Sequence, residues 1–163
     1  MHKDNSHLND KVSFGLNKGI EDRFNQDVNI CIQVFDKDGN LKSESFTHNT
    51  VTTAGKAGAA DQVLASPSLT KIGWMAIGTG SPAATLLGAE NARVAFDSKT
   101  RSTNVVTVVA TFGAGVGTGT ITEAGTFDVV TANTVNMWMS ATGFSHTKGA
   151  SDSLVITWTL TFN

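Results

Sequence analysis

From Val28 to Phe35 the apolar residues Val28, Ile30, Ile32 and Val34 alternate with Asn29, Cys31, Gln33 and Phe35, the period of a strand with one strongly apolar face. Asp36-Lys-Asp-Gly-Asn40 supplies turn chemistry and Leu41 to Phe46 returns, which predicts a β-hairpin. The Asp-x-Asp-Gly run also opens like a calcium loop, but the twelfth position counted from Asp36 is Thr47, where such a loop needs a bidentate Glu. Over Thr52 to Ala65 the spacing of Ala54, Ala57, Ala59, Ala60, Val63, Leu64 and Ala65 changes to that of a helix, with Thr52 as its cap and Ser66-Pro67-Ser68 as its end. Gly55 and Gly58 each weaken that helix by about 1 kcal/mol relative to Ala. It is therefore expected to depend on docking against a sheet through Val63 and Leu64.

Ile72 to Ile77 is short and apolar on both faces, as a central strand is, and Gly78 to Pro82 is the loop after it. Thr85 to Glu90 carries Leu86 and Leu87, and Val94 to Thr100 is extended. The pattern is then continuous β: Val105 to Phe112, a turn at Gly113 to Gly119, Thr120 to Phe127, a turn at Val129 to Ala132, and Val135 to Ala141. Leu154 to Phe162, with Leu154, Ile156, Trp158, Leu160 and Phe162 inward, is the clearest amphipathic strand in the chain. About eight strands with Gly-rich turns and one short helix predict a mainly β chain, an antiparallel β-sandwich of immunoglobulin-like or jelly-roll-like type.

Ahead of that domain, Met1 to Asp27 is rich in Asn, Asp and Lys and reads as an extended N-terminal arm, with the sandwich over 28–163. Its few apolar residues do not offset the entropy of ordering such a segment by itself. Two readings of the arm follow: a tail that stays unordered, or a segment that orders against a neighbouring subunit, with Phe14, Leu16, Ile20 and Phe24 as the candidate subunit contacts.

Composition narrows the function. The length of 163 residues suits one domain with a sizeable core. A net charge of −2 with both signs dispersed gives no footprint for nucleic acid or an anionic membrane. Met1 to Asp10 has no apolar core of the kind a signal peptide needs, and no stretch reaches the length of a membrane span. The expectation is a protein made and kept in the cytoplasm, or one that leaves it by a route other than an N-terminal signal, such as lysis. Cys31 is the single cysteine, and its apolar strand setting favours a small buried hydrophobe over a reactive thiol.

Candidate chemistry centres on Ile121 to Phe127. From Ser102 to Asn163 only Glu123, Asp128, Lys148 and Asp152 carry a full charge, so Glu123 beside Ala-Gly is either a site or a buried anchor. Glu90 and Glu123 are a possible carboxylate pair for glycoside hydrolysis, but the chain has no Tyr and its three Trp lie in apolar, core-like stretches. The alternative is a structural polar pin, Glu123 accepting hydrogen bonds from backbone amides or from Arg93; Arg93 is the partner named, although Glu90 stands three residues before it. None of the four His residues, His2, His7, His48 and His146, has metal-ligand spacing from another His or a Cys in an ordered segment. Gly113 to Gly119 lacks the Lys and the following helix of a phosphate loop. Ser145-His-Thr-Lys148 matches S-x-x-K, a motif that works on one helix face, in a segment that reads as β. No catalytic residue, metal or cofactor is expected.

One further pattern is the order of Asn-x-Val-Thr-x-Ala-Gly at Asn49 to Gly55, Ile-Gly-Thr-Gly at Ile77 to Gly80, Leu86, Leu87 and Glu90 with Arg93, and Ala-Thr-Phe at Ala110 to Phe112. Thr-Ile-Thr-Glu-Ala-Gly-Thr-Phe at Thr120 to Phe127, then Lys148 and Asp152-Ser-Leu-Val-Ile-Thr-Trp158, complete it. This resembles a group of small tailed-bacteriophage virion structural proteins described as head decoration, head fibre or minor tail proteins, over Asn49 to Asn163. The resemblance implies a β-sandwich without enzymatic activity, located in the virion, with the major capsid protein or other virion proteins as partners and a homo-oligomeric state. A capsid decoration protein that stabilises the head shell is the foremost reading. A tail, baseplate or head-fibre anchoring component is the alternative, and a carbohydrate-binding module using Trp74 or Trp138 the lesser one.

Overall fold

The computed structural model describes residues 26–162. The arm residues Phe14, Leu16, Ile20 and Phe24 lie outside the described residues. The first strand, β1 (Gln26–Phe35), takes in the last two positions assigned to the arm and pairs with the hairpin partner β2 (Leu41–Thr47). The Asp36 carboxylate holds the turn between them by accepting from the Asp38 and Asn40 amides, both at 2.9 Å.

The remaining elements are β3 (Asn49–Val51), α1 (Thr53–Asp61), β4 (Trp74–Gly78), β5 (Glu90–Ala95), β6 (Ser98–Ser102), β7 (Val105–Phe112), β8 (Gly119–Ile121), β9 (Glu123–Phe127), β10 (Met137–Ala141), β11 (His146–Lys148) and β12 (Ser153–Phe162). They form an antiparallel β-sandwich. One five-stranded sheet has the order β2-β1-β12-β7-β6 and the other β3-β10-β9-β4-β5, with a small β11-β8 ladder beside them. Between the sheets, Ile30, Ile32 and Val34 meet Leu154, Ile156, Trp158, Val108, Ala110 and Phe112 from the first sheet and Met75, Ile77, Ala124 and Met139 from the second, all buried. Period-two alternation on β1, β7 and β12 puts these residues on one face, and their burial is the main stabilising term.

Three expectations are corrected. The stretch Thr120 to Phe127 is two strands, because Ile121 enters the central core while Glu123, two residues on, faces the other side of the second sheet. A continuous strand places i and i+2 on one face, so the chain shifts phase at Thr122, which is held there by its amide to the Gly78 carbonyl at 3.0 Å and its hydroxyl to the Gly80 carbonyl at 2.8 Å. Val94 to Thr100 is also two strands, β5 and β6, one in each sheet. The helix, third, does not dock through Val63 and Leu64, which lie beyond its end and are 85% and 60% exposed. It docks through Gly55 and Gly58, buried against Trp138: a Cβ on Gly55 would collide with the Trp138 carbonyl and one on Gly58 with the Trp138 indole. The two glycines that lower helix propensity are the contact that holds the helix down. Thr52 caps it, accepting from the Gly55 amide at 3.1 Å and donating to the Met137 carbonyl.

Candidate functional site

The outer face of the second sheet carries three charged side chains withdrawn from water, Glu123, Glu90 and Arg93. Two loops close over it, residues 79–89 after β4 and residues 128–136 after β9. Glu123 opens β9 fully buried, and its carboxylate accepts from three amides of the first loop: Gly80 at 3.0 Å, Gly88 at 2.8 Å and Ala89 at 2.7 Å. Three N–H donors converge on one carboxylate, so its desolvation is offset by charge-assisted hydrogen bonds. The approach requires glycine, since a Cβ at Gly80 would lie 2.9 Å from the Ala89 nitrogen and one at Gly88 would run into the Ser81 backbone. Beneath the same loop Leu87 packs on Ala76, Phe127 and Met137, with Trp74 half-buried at the margin.

Arg93 does not pair with Glu123. It forms a bidentate pair with Glu90, Nε to Oε1 and Nη2 to Oε2 both at 2.8 Å, in which the two side chains are 2% and 1% exposed. Its Nη1 donates to the Val129 carbonyl at 2.9 Å, and Glu90 Oε2 accepts from the Asn133 amide at 2.9 Å, so the pair fastens the second loop. The guanidinium carbon lies 3.6 Å from the centre of the Phe127 ring, a cation–π contact on a buried aromatic face. Two carboxylates thus hold two loops, each with its own partners: Glu123 with amides, Glu90 with Arg93. Their oxygens are engaged by these partners rather than by each other.

A second polar seam joins β2 to β11. The inward positions of β2 are Ser43, Ser45 and Thr47, an unusual polar side for a sandwich strand, and they receive His146. Ser43 Oγ stands 2.8 Å from His146 Nδ1 and Ser45 Oγ 2.7 Å from Nε2, so a neutral ring donates through one nitrogen and accepts through the other. Burial pushes the His146 pKa down from its ordinary 6.5. Lys148, on the same side of β11, is buried and donates to the Gly113 carbonyl at 2.8 Å; burial lowers its pKa, and the nearby Asp152 charge opposes that shift. Asp152 accepts from Lys42 at 2.6 Å and from the Gly149 amide at 2.8 Å, and these bonds hold its carboxyl below the usual 3.8. Ser145 is exposed while Lys148 is buried, so the S-x-x-K match brings no nucleophile to an amine. The Gly-rich stretch Gly113 to Gly119 is a turn: Gly117 has φ +66, and a Cβ there would lie 2.6 Å from Ile77 Cδ1.

Sequence reasoning missed His146, Lys148 and Asp152 as a group. The signal available was the run Ser43, Ser45, Thr47 at alternate positions, which marks the inner face of β2 as polar and calls for a polar partner across it. Trp158 is fully buried and Trp138 nearly so at 9% exposure. Among the described residues no group of three His, Cys, Asp or Glu side chains is placed to hold a metal ion, and no helix is long and apolar enough to cross a membrane. Cys31 sits half-buried on the outer face of the first sheet, 3.8 Å from the Glu44 carboxylate, and burial and that charge raise its pKa, which disfavours the thiolate. No protein-family model, curated protein or solved structure matches the chain.

Proposed function

We propose that this chain is a non-enzymatic structural protein of a tailed-bacteriophage virion, a decoration protein that binds the major capsid protein and stabilises the head shell. The observation that carries the non-enzymatic part is the fate of the buried charges. Glu123, Glu90, Arg93, Lys148 and Asp152 each hold backbone or one another, so the groups best suited to chemistry are consumed in fixing loops. The phage assignment is supported by the motif order from Asn49 to Trp158, in which Glu90, Arg93 and Glu123 are the residues found to anchor the loops.

The test is a count of copies per particle in virions purified from the source strain, by quantitative mass spectrometry against the major capsid protein. Hundreds of copies per virion support the shell reading. A few to dozens move the chain to the tail, baseplate or head fibre. Its absence from the particles overturns the proposal.

A further inference from the structure

At the end of the sandwich where the described chain begins there is an apolar groove of about 220 Å³. Its walls include Val51, Ala59 of α1, Val106, Trp138, Leu160 and Phe162. That volume exceeds the roughly 150 Å³ of a cavity known to admit a benzene ring, so an aromatic side chain fits. Covering this apolar lining is favourable, and the layout of the chain names an occupant.

The β1 strand enters at this end. Gln26 is in register with Phe162, itself a groove-wall residue, and Val28 with Leu160. The buried positions of β1 are Ile30, Ile32 and Val34. Counting back from them in steps of two leads through 28 and 26 to Phe24, the first strongly apolar residue outside the described segment; Ile20 lies four residues before it. Twenty-five residues precede Gln26. At about 3.3 Å per extended residue, the two residues from Gln26 to Phe24 reach about 7 Å, enough to pass from the strand end to the neighbouring groove.

We infer that the groove between α1 and the Leu160 end of the sandwich is the seat of the chain's own N-terminal segment, with the Phe24 ring as the inserted group and Ile20 beside it. The segment thereby completes the core of its own subunit. The inference goes beyond the particle assignment and does not depend on it, because the purified chain alone tests it.

The experiment is disulfide trapping in the full-length chain carrying Cys31→Ser. Phe24→Cys is combined with Ala59→Cys in the groove or, as a control, with Lys56→Cys on the exposed side of α1. Under mild oxidation the groove pair is expected to close within one chain at least about tenfold faster than the control, from its higher effective concentration. Equal rates, or cross-links only between chains, overturn the inference; the latter gives the groove to a second copy. A second arm guards against an uninformative pair: Phe24→Ser in the full chain is expected to raise binding of an apolar fluorescent dye severalfold while unfolding stays cooperative. Dye binding equal to that of the unsubstituted chain overturns it.

Discussion

The outer face of the second sheet and the β12, β7 and β6 part of the first sheet's outer face are finished in opposite ways. On the second sheet, two loops are held down by buried carboxylates, Glu123 on three amides and Glu90 on Arg93, with Leu87 and Phe127 sealed between loop and sheet. On the first sheet, the outward positions of β12, β7 and β6 are Ser153, Val155, Thr157, Thr159, Thr161, Val105, Thr107, Val109, Thr111, Ser98, Thr100 and Ser102, all uncharged, and among the described residues no loop is seen to cover them. The difference shows where this fold requires charge. A regular ladder satisfies its own backbone, whereas an irregular loop on a buried face leaves amides that a carboxylate must take up.

The largest way to break the contrast is Arg93→Ala. Removing one partner of a pair this buried leaves Glu90 as an uncompensated charge, and the expected loss is about 3–5 kcal/mol in urea unfolding. Replacing Glu90 and Arg93 together with apolar residues should recover much of it, because the deficit comes from the orphaned charge.

Gly55→Ala follows, on the helix that closes one end of the core. At an exposed helical site the change would stabilise by about 1 kcal/mol. Here the added Cβ meets the Trp138 carbonyl, and a net loss of about 1–3 kcal/mol is expected from overpacking, read as a lower melting temperature.

The His146 seam gives a smaller, pH-dependent effect. Its folded pKa lies below the ordinary 6.5 because burial disfavours the imidazolium, so the unfolded chain binds the extra proton first. Stability should therefore fall as pH drops through 6.5, and denaturation midpoints at pH 7.5 and 5.5 should differ in that direction. His146→Gln should flatten that step. It should leave intact the further loss at lower pH, where Asp152, held below 3.8 by Lys42, becomes protonated.

Smallest of all is Thr159→Lys on the open face of the first sheet. The position is half-buried and no loop among the described residues is seen to cover it, so a change within about 0.5 kcal/mol is expected; a larger loss would show that further packing covers this face.

How much of this was legible in the sequence depends on whether the pattern was local. Val105 to Phe112 matches β7 at both ends, and the alternation of Leu154 to Phe162 places β12 to within one residue, because a half-buried strand writes its period directly into the chain. The phase shift at Thr122 was not legible, since Thr-Ile-Thr-Glu reads as unbroken alternation until the Gly78 and Gly80 carbonyls are known to lie beside it. Glu90 as the partner of Arg93 was visible at i, i+3. It lost to Glu123 because nothing in the spacing reveals that three amides from a loop some forty residues away already satisfy that carboxylate. The docking face of α1 was hidden for a related reason. Gly55 and Gly58 register as weak helix formers until Trp138 is placed against them.

The claim that Glu123 holds the loop over the second sheet is tested most directly by amide hydrogen exchange on Glu123→Gln. A Gln side chain places a donor where three amides also donate. The account predicts faster exchange at Gly80, Gly88 and Ala89 while the β1, β7 and β12 ladders keep their protection. Unchanged exchange at those three amides in a folded variant would contradict it.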